Sequence, residues 1–98
     1  MKQLSGIERI AKERRRQIRV EKWSSSHDDA LIRRELAQAG ALYALGAGHQ
    51  TVLPWNWPWD AKWWKPGTDI RMLEKAGALI AAEIDRLLRL YRAPPRGR

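Results

Sequence analysis

The 98-residue sequence predicts an all-α, three-helix domain, and three observations carry that expectation. From Asp69 onward, apolar residues recur at alternating spacings of three and four; two Ser-led capping signals open earlier helical segments; and the long stretch lacking period is rich in Pro, Gly and Trp. A chain this short supports one hydrophobic core, so residues 1–98 read as a single helical domain.

Ser5 followed three residues later by Glu8 has capping-box spacing, and Ile7, Ile10, Ala11 and Ile18 then share a helical face. The first helix is expected over 6–22. The segment 23–26 interrupts the pattern. Ser26 with Asp29 repeats the capping spacing, and Asp28 and Asp29 suit the positive end of a helix dipole. The second helix is expected over 27–45, burying Leu31, Ile32, Ala39, Leu42 and Tyr43 and ending at Gly46 and Gly48.

Residues 46–68 hold three Pro, three Gly and five of the six Trp, a composition that predicts a long but ordered loop. Its rings should pack on the third helix around Gly77. That helix is expected over 69–92, with Ile70, Leu73, Gly77, Ile80, Ile84, Leu87 and Tyr91 along one face. Residues 93–98, opened by Pro94 and Pro95, read as a frayed basic tail.

The net charge is +8, with a local +5 over residues 1–22 and +3 over 69–98, so both ends should attract polyanions or acidic surfaces. Cysteine is absent, which leaves stability to packing. No signal-peptide pattern opens the chain, and the longest apolar run, 76–82, is too short to span a bilayer; a cytoplasmic protein without a membrane partner is expected.

Several residues stand out chemically. Helical projection places Arg14 inside the apolar stripe of the first helix and Glu35 inside that of the second, which predicts a buried ion pair between them. A polar pocket, with Arg14 and Arg71 gripping an anionic ligand, is the alternative. Within the basic run, Lys12, Arg15, Arg19 and Lys22 form a stripe that could track phosphates; a solvated face is the simpler reading. Basic residues beside aromatics also fit single-strand binding, where bases stack on rings.

His27-Asp28 with His49 cannot complete a metal coordination shell, so no metal or cofactor is expected and Asp28 and Asp29 are read as caps. Glu35 is followed at the third position by Gln38, and Glu83 by Asp85 at the second, so the paired carboxylates of helical nucleotide pyrophosphatases are missing. With no recognisable nucleophile setting either, a non-enzymatic protein is expected.

Glu13 to Ile18, Trp23 with His27-Asp28-Asp29, Glu35-Leu36-Ala37, Tyr43-Ala44, Trp57-Pro58-Trp59-Asp60, Trp63-Trp64-Lys65-Pro66 and the stretch from Lys75 through Ile80 to Glu83-Ile84 cover most of the chain in order. In these segments the sequence resembles a family of small, largely uncharacterised bacteriophage and prophage proteins. The resemblance implies phage origin and a helical fold, without an activity to carry over. Two departures fall at Lys22, where a Gly before the Trp is usual, and at Met72, where an acidic residue is.

Small size, this resemblance and a Trp-rich loop rimmed by Asp60, Lys62 and Lys65 favour a stoichiometric binding protein, an inhibitor of a host defence system in the manner of an anti-CRISPR. Its partner would be a host protein or nucleoprotein complex. Trp63 and Trp64 cannot both face inward as neighbours, so one is expected to be an exposed interface anchor. A nucleic-acid or nucleotide binder using the basic first helix is the alternative.

Overall fold

A computed structural model describes residues 3–48 and 52–92, which form four α-helices and one 3-10 turn, with no strand among them. The helices are α1 (Gly6–Arg19), α2 (Ser25–Asp29), α3 (Glu35–Gly46) and α4 (Asp69–Arg92), and the 3-10 turn is Ala61–Trp63. The fold is all-α. The expected basic tail, 93–98, lies outside the described residues, as does part of the expected loop.

α1 opens on the predicted capping box: the Glu8 amide donates to Ser5 Oγ (3.2 Å), and the Ser5 amide donates to Glu8 Oε1 (2.8 Å). It stops at Arg19 rather than at residue 22. Lys22 takes a left-handed backbone, φ 65°, a conformation that glycine adopts freely and other residues at a cost.

The single second helix expected over 27–45 is instead two helices. Ser24, not Ser26, caps α2, its Oγ accepting the His27 amide at 3.2 Å. A second left-handed residue, Arg34 (φ 63°), then ends the turn after α2, and the Glu35 side chain accepts the Arg33 amide at 2.7 Å as α3 begins. Neither Arg34 nor Lys22 belongs to the residue types that signal such a conformation in sequence.

α4 is the spine, and α1 and α3 both pack on it, with α2 beside its second half. Leu36, Ala39, Tyr43, Trp64, Met72, Ala76, Leu79 and Ala82 form the core, with Trp23, Leu31, Trp57 and Trp59 packed against it. Small residues set the spacing: a Cβ on Gly40 would lie 3.1 Å from the Ala76 carbonyl oxygen, so α3 can sit directly on the α4 backbone.

This packing reverses two predicted faces. Ile70, Leu73, Ile80, Ile84 and Tyr91 of α4 are exposed, as are Ile7 and Ile18 of α1, while α1 buries Glu13 and Gln17. Of the residues expected on the inner side of the second helix, Ile32 is exposed, whereas Ala39 and Tyr43 are buried. The Ala-rich side of α4 permits close helix contact, and charged pairs fill the interfaces in place of the Ile row. The Trp segment does not pack around Gly77 either. That position is filled by Ile10 of α1, whose Cδ1 would lie 2.5 Å from an added Cβ.

Candidate nucleic-acid interface

Arg9, Lys12, Arg16 and Arg19 are spaced three, four and three apart, so they align on one side of α1. Arg71 approaches from α4. Together with Leu4, Glu13 and Glu74 they line an open groove of about 340 Å³, with five cations against two carboxylates. Glu13 organises it from below, nearly buried between the helices. It accepts two bonds from Arg16 (2.9 Å each) and one contact from Arg71 (2.7 Å). Arg16 also bonds Glu21 at 2.9 Å, and Glu74 holds Arg71 (3.1 Å) and Arg9 (3.2 Å).

Burial pushes the Glu13 carboxyl up, but the bonds from Arg16 and Arg71 outweigh it and hold the group below the usual carboxylate value. The same bond to Glu13, reinforced by Glu21, raises the Arg16 pKa further, so its charge is permanent. Three guanidinium groups are thus pre-positioned on a surface of net +3. Lys12 and Arg19 are exposed and make no hydrogen bond or ion pair with the described residues.

Beside the groove lies an aromatic cluster. Tyr43 stacks on Trp64 (4.7 Å between ring centres, 24° between planes), and Trp57 meets Tyr43, Trp64 and Trp59 edge-on at 5.6, 5.0 and 5.5 Å. The Tyr43 hydroxyl donates to the Trp63 carbonyl (3.3 Å) and accepts the Lys65 amide (2.9 Å), tying the loop to α3. Burial raises the Tyr43 pKa, partly offset by the Lys65 bond. Lys75 donates to the Lys65 carbonyl at 2.6 Å; burial, followed by the nearby Arg71 charge, lowers its pKa.

Trp23, His27, Leu31, Trp59, Asp60 and Trp63 enclose a cleft of about 280 Å³. Between it and the basic groove is a narrow recess of about 30 Å³, which shares Trp23, Trp59 and Trp63 with the cleft and Glu13 and Arg16 with the groove. The groove and the cleft themselves share no lining residue.

The residues singled out in the sequence are only partly brought together. Lys12 and Arg19 line the groove; Arg15 is exposed on α1 and Lys22 lies in the turn beyond it, and neither lines the groove. Trp64 is buried at 9 % exposure and Trp63 remains 37 % exposed, so the neighbours do divide between core and surface. Lys62 and Lys65 place their ammonium groups 5.6 and 5.4 Å from the Trp63 ring centre.

Arg14 does not pair with Glu35. Its Nη2 donates to Asp28 Oδ2 at 3.0 Å, and Asp28, 0 % exposed, also meets His27 Nδ1 at 2.9 Å. Asp28 is thus a buried counter-ion rather than a cap. Asp29 bonds Arg89 of α4 at 2.8 Å. The break at Arg34 removes Glu35 from the face on which a continuous helix would have placed it.

Arg9, Arg16, Glu13, Gln17, Trp23 and Trp59 join the site only in the folded structure. For Arg9 and Arg16 the sequence does carry a signal, since the 9–12–16–19 spacing is as regular as the 12–15–19–22 stripe. Glu13 and Gln17 carry no such signal, since their burial depends on how α1 is rotated against α4.

The described residues thus define a helical protein with a basic groove on α1 and α4 and a separate aromatic cleft. The chain matches no protein-family model, no curated protein and no solved structure. No helix among the described residues is long and apolar enough to cross a membrane.

Proposed function

We propose that the protein is a non-enzymatic, cytoplasmic binder of single-stranded nucleic acid or nucleotides, with the phosphates held along α1. The observation that carries this reading is the groove of Arg9, Lys12, Arg16, Arg19 and Arg71, on a protein that also carries an aromatic cleft. Carboxylates beneath the arginines hold guanidinium groups in place, which lowers the entropic cost of gripping an anion. The aromatic rings supply stacking surfaces, the second element of single-strand binding.

With a groove charge of +3, about three phosphates are neutralised, and binding to a single strand should show a log–log salt slope of about −2. Lys12→Glu with Arg19→Glu should weaken binding at least about tenfold and flatten that slope. Fluorescence anisotropy of a labelled oligonucleotide tests both. Undetectable or salt-independent binding at about 50 mM salt discards the reading.

A second reading is a phage-encoded counter-defence protein that binds a host protein or nucleoprotein complex stoichiometrically. Trp55, 95 % exposed, and the open Ile and Leu row of α4 favour it, because apolar surface of this kind is characteristic of interaction sites. A pull-down from bacterial lysate with and without nuclease separates the two readings: nuclease-resistant capture supports this one, and capture lost to nuclease supports the first.

A further inference from the structure

We propose that the exposed apolar row of α4 is a dimer interface, on which a second copy of this chain lays its own α4 in the antiparallel direction. The proposal goes beyond the nucleic-acid reading and does not depend on it.

Ile70, Leu73, Ile80, Ile84, Leu88 and Tyr91 range from 44 % exposed (Ile80 and Leu88) to 72 % (Tyr91). At the helical repeat they fall within roughly a quarter of the circumference of α4 and run about 31 Å along it. The same arc includes Gly77 and no charged residue. α1 meets it at Gly77 through Ile10, and α3 at Ile80, whose Cγ1 would lie 3.2 Å from a Cβ on Gly40. Ile7, one turn before Ile10, is 82 % exposed as well. A monomer rarely leaves a continuous apolar surface of this length open to water.

The spacing of the row says what covers it. Ile70, Leu73, Gly77, Ile80, Ile84, Leu87 and Tyr91 alternate steps of three and four, the repeat with which one helix seats against another along a seam. The occupant must therefore present a helix with an exposed row of the same repeat. A second copy presents such a helix. A polyanion finds no charge there to grip.

Charge sets the direction. Asp69 opens α4 and Arg92 closes it, while Arg71 is already paired with Glu13 and Glu74, and Arg89 with Asp29. In a parallel pair the two Asp69 carboxylates would lie side by side, as would the two Arg92 guanidinium groups. In an antiparallel pair the acidic start of each helix lies near the basic end of the other, and the helix dipoles oppose favourably. Two chains of net charge +8 still repel each other at long range, so the association is reversible. Below its dissociation constant the row lies open, and substitutions on it cost the single chain little.

The test is sedimentation equilibrium of the full chain, without nucleic acid, from low micromolar to submillimolar concentration. The mass should rise from 11.4 kDa towards twice that value. Ile84→Asp should raise the dissociation constant at least about tenfold, because it buries a charge in the seam, and leave the helical circular dichroism of the dilute protein unchanged. Direction is read by disulfide formation, which is clean because the chain has no cysteine. Near the middle of the row, Ile80→Cys should cross-link to its own copy. Ile70→Cys and Tyr91→Cys should each fail to do so alone and cross-link when the two variants are mixed. If Ile84→Asp fails to fold, the cysteine variants decide. A chain that stays monomeric at every concentration overturns the proposal and leaves the row to a different protein. A dimer undiminished by a folded Ile84→Asp overturns the row as the interface, and self-cross-linking through Ile70→Cys as ready as through Ile80→Cys overturns the antiparallel arrangement.

Discussion

Asp28 is the residue on which the α1–α2 interface depends. It is fully buried, its Oδ2 accepts from Arg14, and Arg14 has two further nitrogens, Nε and Nη1, that are buried without a hydrogen-bond partner. Removing the carboxylate strands a guanidinium that is already poorly satisfied. Asp28→Ala should therefore cost about 3–5 kcal/mol in urea unfolding, whereas Glu35→Ala, at a half-buried position bonded only to a turn amide, should cost about 1 kcal/mol. Equal losses would contradict the pairing. Glu13 makes a pH-dependent contribution. Because its native carboxyl titrates below the unfolded one, the stabilisation is complete above about pH 4.3 and disappears as pH falls through the native value. A urea midpoint measured across the acid range should fall less steeply in Glu13→Gln than in the parent protein.

For the helices, the regular Ile and Leu spacing of α4 predicts a buried face that the fold turns outward. Leu79 and Met72 are buried, and Ile84 is 52 % exposed. The energetic order should follow the structure rather than the spacing: Leu79→Ala should cost about 2–5 kcal/mol, and Ile84→Gln under about 1 kcal/mol. A larger loss for Ile84 would show that its row is covered in solution. The helix ends divide in the same way. The Ser5–Glu8 capping box was legible because both partners are local, three residues apart. The breaks at Lys22 and Arg34 were not, because long cationic side chains in left-handed conformations have no local sequence signature.

In the molecule as a whole, the aromatic segment belongs to the core. Trp64 and Tyr43 stack, Trp57 closes on both, and the Gln38 side chain donates to the Asn56 carbonyl at 2.6 Å, so the loop and the helices share one set of contacts. They should unfold together. Trp emission and far-ultraviolet circular dichroism are expected to give coincident urea transitions, and Trp64→Ala should lower both midpoints by an equivalent of about 3–5 kcal/mol. A loop transition that precedes loss of helix would separate the cleft from the core.

The sequence by itself determined the helical class, the α1 capping box, the start of α4 at Asp69, and the excess of positive charge on α1, all of which rest on local spacing and composition. It also required Trp63 and Trp64 to point in different directions. Tertiary structure alone decided the rotation of α1 and α4 about their axes, and with it the burial of Glu13 and Gln17 in place of the Ile rows. It likewise decided that Arg14 meets Asp28 rather than Glu35, because one left-handed residue at Arg34 reorients everything beyond it. The physical reason is that periodicity ranks the faces of a helix by their apolar content. Which face is buried depends on how closely the backbones approach, and here small residues such as Gly40, Ala76 and Ala82 brought the helices together on a face that periodicity ranked second.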